Sequence, residues 1–327
     1  MPWIDVLLNK YTTSTMFSKL DLTHAFHQLR LDEDSKDLTT FTTEDGLYRW
    51  EVMPMGIGGA PARLQRVMVK LLEDVERSDP YLDDVLIATV HDERLPMEQK
   101  RDEHQKVLFE VLQRLHDFTL HIKLDKCEFF KESVVFCGHE LGGGVRRPVA
   151  SKVVAIEKWP VPKNLTEVRG FLGVCGFYGC YIPSFAQVAA PLTDLLRHQG
   201  GGLMWTEECD LAMSNLKKML LERVMLAGID STKPFVLRVD ASSKAIGAVL
   251  EQRNHDGELR PVGFYSRKLG KSQQKWSPRE TEMYAICSAL NKWRVEIGWQ
   301  WPWPTLQHHS CPLPTPSPSP QGIILPN

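Results

Sequence analysis

Tyr81-Leu82-Asp83-Asp84 runs directly into the apolar segment Val85-Leu86-Ile87-Ala88, so two adjacent carboxylates precede a strand-like sequence. An Asp-Asp pair taken alone is more typical of a solvated turn than of a functional site. A third acid, Asp21, ends a second strand-like segment, Lys19-Leu20-Asp21. Three carboxylates that converge can hold two divalent cations, one to activate an attacking oxygen and one to neutralise a pyrophosphate leaving group.

A glycine-rich stretch lies between these two acidic segments. It runs from Val52 to Pro61 as Val-Met-Pro-Met-Gly-Ile-Gly-Gly-Ala-Pro and leads into Arg63, Gln65 and Arg66. Glycine permits close backbone approach, and the N-terminus of a helix favours phosphate. The stretch therefore predicts a turn into a helix beside the acidic segments.

Taken in order along the chain, these motifs resemble the reverse transcriptases of gypsy-type LTR retrotransposons. The motifs are Phe17-Ser18-Lys19-Leu20-Asp21-Leu22, Ala25-Phe26-His27-Gln28-Leu29, Val52-Met53-Pro54-Met55-Gly56, Ala60-Pro61, Gln65-Arg66, Tyr81-Leu82-Asp83-Asp84, Lys126-Cys127-Glu128-Phe129-Phe130, Phe136-Cys137-Gly138-His139, Phe171-Leu172-Gly173, Tyr181-Ile182-Pro183 and Ala190-Pro191-Leu192. Lys233-Pro234-Phe235, Asp240-Ala241-Ser242 and Tyr265-Ser266-Arg267-Lys268-Leu269 resemble the ribonuclease H domain of the same polyproteins. The resemblance covers residues 1–297, and so many ordered matches make coincidence implausible.

The resemblance implies an α+β chain in four regions. Residues 1–145 would form a reverse-transcriptase palm whose fingers are missing, and residues 146–222 a helical thumb and connection. Periodicity alone fits a small helical bundle for 146–222 equally well. Residues 223–298 would form a truncated ribonuclease H-like α/β domain. Residues 299–327 hold eight prolines in 29 residues, which predicts disorder or polyproline II.

The resemblance also assigns roles to the three acids. Asp21 and Asp83 are the expected catalytic ligands shared by two Mg²⁺ ions, with Mn²⁺ as a possible substitute. Asp84 would add negative field and outer-shell contacts. The Leu22 carbonyl would supplement this metal cage. RNA template, DNA primer and deoxynucleoside triphosphates are the implied partners.

Four further side chains are implied to lie around the nucleotide. Phe26 would pack beneath the incoming sugar and exclude a 2′-hydroxyl, although simple core packing is its alternative. Met55 and Gly56 match the nucleotide pocket of the family, and Gln65 begins the helix on the template side. Phe136-Cys137-Gly138-His139 occupies the position of the primer-gripping hairpin.

The ribonuclease H resemblance is incomplete. Asp240 and Glu282 match two of its metal-binding carboxylates, but the strand with a Thr-Asp-His signature is absent, and the pattern ends after Trp293. Two acids are a poor cage for two Mg²⁺ ions, which demand near-octahedral oxygen ligands. The sequence therefore predicts negligible RNA cleavage by this chain alone.

Two departures also put polymerase activity in doubt. The first residues correspond to a point after the fingers, so the basic residues that contact the triphosphate would be absent. Residues 76–80 read Glu-Arg-Ser-Asp-Pro where the family has an apolar strand, and proline tolerates only edge or terminal strand positions. Three hypotheses follow: an impaired RNA-directed DNA polymerase fragment dependent on other polyprotein segments, an inactive remnant that binds nucleic acid, or an interaction protein whose proline-rich tail binds a partner.

Composition agrees with this picture without specifying it. The net charge of −2 gives no overall attraction for nucleic acid, so binding would use local clusters such as Arg63 with Arg66, Lys123 with Lys126, or Arg146 with Arg147. Seven cysteines lack paired spacing, and no signal peptide or membrane-spanning run is apparent. An intracellular protein is expected, cytoplasmic or particle-associated and not secreted.

Periodicity and capping signals place the main elements. Helices are predicted at 61–76, 97–117, from Asn164 with Glu167 at its third position, 186–196, after Thr206, and 278–295. The last begins with a capping box, Ser277 to Glu280, and proline at its first position. Strands are predicted at 50–52, 85–88, 235–239, 245–250 and 260–265.

Overall fold

The computed structural model describes residues 2–90, 94–197, 203–222 and 224–298, together with the backbone of 323–325. The chain divides into two compact units, Met1–Gly144 and Val145–Asn327. Each unit has its own helices, strands and hydrophobic clusters.

The first unit is a mixed helix and strand unit. Its elements are α1 (Ile4–Tyr11), β1 (Met16–Asp21), α2 (Glu33–Asp37), β2 (Phe41–Thr43), β3 (Gly46–Tyr48), α3 (Ala60–Leu71), β4 (Ser78–Tyr81), β5 (Asp84–Thr89), α4 (Met97–Asp117), β6 (Glu128–Lys131), β7 (Ser133–Phe136) and β8 (His139–Gly142). Its largest sheet has the order β4-β5-β1-β6, in which β1 pairs antiparallel with both β5 and β6.

The central strand β5 is buried on both faces. Val85 and Ile87 pack in one cluster with residues of α3 and α4, whereas Leu86 and Ala88 pack in another with residues of α1, β7 and β8. Side chains alternate between the faces of a strand, so a continuous apolar run is what a doubly covered strand requires. The predicted strand at 85–88 is therefore confirmed, one residue longer at each end. The strand predicted at 50–52 is wrong, because only Val52 forms a bridge, to Arg30.

The two predicted helices of this unit differ in outcome. Helix α4 covers 97–117 as predicted, and its buried residues His104, Leu108, Val111 and Leu115 form a helical stripe. Helix α3 ends at Leu71, five residues before the predicted end at 76. Leu72 and Val75 are still buried in the same cluster as the apolar residues of α3, but they lie in the segment that follows the helix. The apolar spacing was right, and its extension as helix was wrong.

The polar segment before Tyr81 forms a regular strand, contrary to the predicted disruption of the hairpin. Pro80 pairs opposite Val85, and Ser78 opposite Ile87. Proline is tolerated because β4 lies at the edge of the sheet, where its missing N–H deprives no neighbour. The Asp79 carboxylate accepts a hydrogen bond from the Tyr11 hydroxyl, and burial followed by the charge of Asp79 raises the pKa of that phenol.

The second unit begins with a helical part and continues into a sheet. Its elements are β9 (Val145–Pro148), α5 (Ala150–Glu157), α6 (Leu165–Phe177), α7 (Phe185–Val188), α8 (Ala190–Leu195), α9 (Glu207–Leu221), β10 (Leu226–Ala227), β11 (Phe235–Ala241), β12 (Ala245–Arg253), β13 (Leu259–Lys268), α10 (Pro278–Lys292) and β14 (Ile323–Leu325). Strands β9 and β10 pair antiparallel, and the larger sheet has the order β13-β12-β11-β14.

The capping signals located the helix starts in this unit. The Asn164 side chain accepts a hydrogen bond from the Glu167 backbone N–H at 2.9 Å, and α9 begins directly after Thr206. The single helix predicted at 186–196 is wrong, because the chain forms two short helices that meet at Ala189. Pro191 lies in the first turn of α8, where its missing N–H is tolerated, but it cannot continue an earlier helix.

The sheet follows the predicted order of three antiparallel strands and a helix. The strands β12 and β13 extend beyond the predicted 245–250 and 260–265, and α10 ends at Lys292 rather than 295. The disorder predicted for 299–327 is wrong at one place, since Ile323–Leu325 pairs antiparallel with β11. These three residues are apolar and follow the proline-alternating stretch, so nothing in them prevents strand pairing. The rest of that tail lies outside the described residues.

The capping box at Ser277 yields a stability prediction. The Ser277 hydroxyl accepts a hydrogen bond from the Glu280 backbone N–H, and the Glu280 carboxylate accepts one from the Ser277 backbone N–H. Replacing Ser277 with alanine should therefore destabilise the protein by about 1 kcal/mol in urea denaturation. Ser272→Ala is the matched control, because Ser272 makes no capping hydrogen bond with its side chain. Equal effects of the two substitutions would contradict the capping role.

Candidate active site

The three predicted acids meet at one end of the first unit's sheet. Asp21 is the last residue of β1 and lies directly opposite Asp84, the first residue of β5. Asp83 occupies the tight turn between β4 and β5, and its carbonyl accepts a hydrogen bond from the Leu22 backbone N–H at 2.9 Å. The backbone thus brings Asp21, Asp83 and Asp84 together, as the strand-end pattern predicted.

Gln65 holds this turn from helix α3. Its side-chain Nε2 donates to the Pro80 carbonyl at 2.8 Å, and its Oε1 accepts from the Leu82 backbone N–H at 2.8 Å. Gln65 is buried, and Leu82, whose N–H it accepts from, has a φ of 57°, a left-handed conformation that is costly for a residue with a bulky side chain. Gln65 therefore bonds to the turn that carries Asp83. The sequence placed Gln65 at the start of the helix on the template side and did not predict this contact.

Two lysines balance the negative charge of the acids. Lys126 Nζ lies 3.5 Å from Asp21 Oδ2, and Lys19 Nζ lies 3.4 Å from Glu128 Oε1. Both lysines also act to lower the pKa of Asp84. Lys126 and Lys19 belong to motifs of the resemblance, but the sequence assigned neither of them a role at the acids.

Burial and like charges act on Asp84. Burial is the largest influence that raises the pKa of this carboxyl, and Asp83 and Asp21 raise it further. The site therefore has a negative potential that a bound cation would relieve. Carboxylate oxygens are also the ligands that Mg²⁺ prefers.

A metal ion at these acids would need several oxygen ligands within reach of one point. Within the ranges that the structure describes, no three side chains of His, Cys, Asp or Glu form a group that could hold a metal ion, and the trio of Asp21, Asp83 and Asp84 is no exception. The donor chemistry fits Mg²⁺, because all three side chains end in carboxylate oxygens. The predicted ligand set stays a prediction.

Removal of the negative charge of Asp84 is expected to stabilise the folded protein. The pKa of Asp84 is raised in the folded protein. The contribution of this carboxyl to the free energy of unfolding is therefore most favourable below the pKa that it has in the unfolded chain, and it is lost as pH rises through the folded pKa. Asp84→Asn should therefore stabilise the protein at neutral pH, because a neutral amide avoids both the burial of a charge and the repulsion from Asp83 and Asp21. A gain of up to about 1 kcal/mol is expected, the size of other cross-strand pair effects.

This gain should shrink when urea denaturation is repeated in acid, where the wild-type carboxyl is protonated in both states. The exposed Asp74 of the turn after α3 provides the control Asp74→Asn, for which little change is expected. A stability gain of Asp84→Asn that is independent of pH would contradict the electrostatic origin.

The hairpin β7–β8 lies beside the acids. Its two-residue turn, Cys137 and Gly138, has positive φ at both positions, which suits a tight antiparallel hairpin. Burial, with a further contribution from Asp84, raises the pKa of the Cys137 thiol to about 12. The predicted primer-gripping motif is thus a hairpin next to Asp84.

The predicted nucleotide-pocket residues lie on two segments. Leu22 is buried and bridges to Ile122, and Phe26 is half-buried in a short helical turn at Ala25–Gln28, packed against the core. Met55 is exposed in the loop before α3, and Gly56 has a φ of 92°, which favours glycine. The packing of Phe26 agrees with both its functional and its core interpretation.

The two predicted ribonuclease H acids lie on different elements. Asp240 is an exposed residue of β11, and Glu282 an exposed residue of α10. Val239 and Ala241, the neighbours of Asp240, pack toward Ala285 of α10, so strand alternation directs Asp240 to the other face. Their predicted role as paired metal ligands stays a prediction.

Two family models match the chain. The model of reverse transcriptase (RNA-dependent DNA polymerase) matches residues 3–141, and that of the RNase H-like domain found in reverse transcriptase matches residues 205–298. The chain carries a reverse transcriptase domain and an RNase H-like domain. The three acids and Gln65 all lie in the reverse transcriptase domain.

Curated relatives are retrotransposon polyproteins. The Transposon Tf2-3 and Tf2-7 polyproteins of Schizosaccharomyces pombe are each 34% identical over 296 residues, 90% of this chain. The chain spans 22% of the length of these relatives. Its predicted recognition as a segment of an LTR retrotransposon polyprotein is confirmed.

Solved structures share the fold. A foamy viral protease-reverse transcriptase in complex with RNA/DNA hybrid matches with a TM-score of 0.79 and 23% identity, over 92% of this chain and 39% of that one. The same kind of protein in complex with double-stranded DNA matches with a TM-score of 0.77, over 92% of this chain and 61% of that one. The predicted mixed α and β fold of a reverse transcriptase followed by an RNase H-like domain is confirmed. No helix among the described residues is long and apolar enough to cross a membrane.

Proposed function

We propose that the reverse transcriptase domain catalyses RNA-directed DNA synthesis by nucleotidyl transfer. The observation that carries this proposal is the pairing of Asp21 with Asp84 beside the turn that presents Asp83. Family membership supports the same reaction, since the matching model describes an RNA-dependent DNA polymerase.

Each residue of the site has a distinct role in the proposed reaction. Asp21 and Asp83 would hold Mg²⁺, which when bound supplies an electrophile that lowers the pKa of the attacking hydroxyl and neutralises the leaving group. Asp84 maintains the negative potential, Lys126 offsets the charge of Asp21, and Gln65 fixes the turn that carries Asp83. Phe26 would line the sugar side of the pocket, with Met55, Gly56 and the Leu22 carbonyl around the nucleotide.

The proposed partners are an RNA template, a DNA primer and deoxynucleoside triphosphates. The solved foamy viral relatives are complexes with an RNA/DNA hybrid and with double-stranded DNA, which supports nucleic acid as the partner class. Residues 146–222 would act as thumb and connection. Other segments of the polyprotein would complete the enzyme, because the chain spans 22% of its relatives' length.

Primer extension tests the proposed reaction. A labelled DNA primer on an RNA template is incubated with the full chain, deoxynucleotides and Mg²⁺ or Mn²⁺, with a chelator as the negative control. Extension that the chelator abolishes is expected. Salt-sensitive binding of the duplex without any extension would instead identify an inactive nucleic-acid-binding remnant.

We propose that RNA cleavage by this chain is negligible. The support for this proposal is that Asp240 and Glu282 are the only two of the family's metal-binding carboxylates matched in the sequence, and two acids are a poor cage for two Mg²⁺ ions. An RNA·DNA hybrid incubated with the chain and Mg²⁺ should remain intact. Cleavage that Asp240→Asn abolishes would overturn this proposal.

A further inference from the structure

His104 of α4 is a fully buried polar side chain to which the proposed reaction gives no role. Its ring packs edge-on against that of Phe130, with 5.5 Å between the centroids. Ser18 Oγ lies 2.8 Å from His104 Nε2, and Thr89 Oγ1 lies 2.8 Å from His104 Nδ1. Burying polar side chains is costly unless they are hydrogen-bonded, so these two bonds are a specified feature of the core.

The histidine joins the two strands that carry acids of the site. Ser18 lies in β1, which ends at Asp21, and Thr89 is the last residue of β5, which begins at Asp84. A neutral imidazole has one N–H donor and one acceptor nitrogen, and a hydroxyl can act in either way, so both bonds can form in either tautomer. His104 therefore links β1 to β5 through side chains, in addition to the backbone pairing of these strands.

A bulge in β6 involves the same serine. Lys19 pairs with Glu128, but before the next pair of the register two steps along β1 are matched by three steps along β6. Phe130 in this longer stretch has a φ of 51°, which is uncommon for a bulky residue, and its N–H donates to Ser18 Oγ at 3.1 Å. The Ser18 hydroxyl thus bonds both to His104 and to the backbone of the bulge.

The bulge determines which residues of β6 reach the acids. Lys126 lies two residues before β6 begins, and its Nζ is 3.5 Å from Asp21 Oδ2. Glu128, the first residue of β6, has its Oε1 3.4 Å from Lys19 Nζ. A strand that loses a bulge must slip by one residue, and such a slip turns its side chains to the opposite face. The bulge therefore maintains the register that brings Lys126 to Asp21.

We propose that His104 is a positioning residue of the active site, which holds Ser18 so that the bulge of β6 keeps Lys126 beside Asp21. It acts through the Ser18 hydroxyl and the backbone of β6. The expected effect on catalysis rests on the proposed polymerase function, whereas the effect on the bulge does not.

Two substitutions of His104 separate its two bonds. The side-chain amide of glutamine reaches the position of Nε2 and can keep the bond to Ser18, whereas that of asparagine reaches the position of Nδ1 and can keep the bond to Thr89. Each variant gives up one buried hydrogen bond, so the two should lose similar stability in urea denaturation. A merely structural role predicts that the two variants also behave alike in every other measurement.

Hydrogen exchange in the full chain tests the bulge without an activity assay. The backbone amides of 128–131 should exchange at least about 10-fold faster in His104→Asn than in His104→Gln, because only the asparagine variant releases Ser18. His116→Asn, at an exposed position of the same helix, is the matched control and should exchange as the wild type does. Equal exchange at 128–131 in the asparagine and glutamine variants would overturn the proposal.

Primer extension tests the consequence for catalysis. His104→Asn should have a kcat at least about 10-fold below that of His104→Gln, with nearly the same KM for primer-template, because a displaced site slows the chemical step. In the Lys126→Ala background the same difference should fall below about 3-fold, since both residues act on one contact. Full additivity would overturn the action through Lys126. A wild-type chain that extends no primer would count against the proposed function, and faster exchange at 128–131 in His104→Asn would still support the positioning of β6.

Discussion

Primer extension by the Asp83→Asn variant is expected to fall by at least about 1,000-fold, equivalent to about 4 kcal/mol of transition-state stabilisation. An asparagine keeps the size of the side chain but removes the charge and one of the two acidic oxygens that would bind Mg²⁺. Extension rates are compared at saturating primer-template and deoxynucleotide, so that a loss of chemistry is separated from weaker binding.

The fold should survive this substitution. Asp83 occupies the turn between β4 and β5, and its contact with Leu22 is made by the backbone carbonyl, which asparagine retains. The circular dichroism spectrum and urea midpoint should therefore match the wild type closely. Asp74→Asn, an exposed acid after α3, is the control for a general loss of negative charge and should keep full activity. Equal extension by Asp83→Asn and wild type would contradict the proposed polymerase site.

The meeting of Asp21, Asp83 and Asp84 could be predicted because it depends on local pattern. Each acid adjoins an apolar run, and acids that end or begin neighbouring strands share one edge of a sheet. Helix α4, the N-cap at Asn164 and the capping box at Ser277 were likewise encoded within a few residues.

The features that the sequence did not reveal depend on contacts between residues that lie far apart along the chain. Lys126 lies 105 residues from the Asp21 that it contacts, and Gln65 lies 17 residues from the Leu82 N–H that it binds. Tolerance of Pro80 depended on whether β4 lies at an edge, which only the assembled sheet decides. The break at Ala189 was signalled locally by Pro191, so that error came from giving apolar periodicity more weight than a proline.

Replacing Gln65 with leucine is expected to cost both stability and activity, because it removes the two hydrogen bonds that hold the Asp83 turn. The Pro80 carbonyl and the Leu82 N–H would lose their partners, at about 1–3 kcal/mol for each group that stays buried. A loss on the order of 2–4 kcal/mol is expected in urea denaturation. Released from Gln65, the turn can shift, and a displacement of about 1 Å lowers the rate about 100-fold.

Gln65→Glu separates the two bonds. A glutamate still accepts from the Leu82 N–H but cannot, when ionised, donate to the Pro80 carbonyl, so this variant should lose less activity than Gln65→Leu. Gln105→Leu, on the exposed side of α4, is the matched control and should change neither property.

Because Gln65 acts through the turn and not on the substrate, its loss should lower kcat while leaving the KM for primer-template nearly unchanged, in assays well below the Tm of the variant. A purely structural role predicts instead that kcat recovers once the fraction of folded protein is taken into account. Full recovery would therefore contradict a positioning role for Gln65. A residual loss of kcat in the folded protein would mean that the geometry of Asp83 depends on a side chain that contacts only the backbone on either side of Tyr81, so fold and chemistry are coupled at this turn.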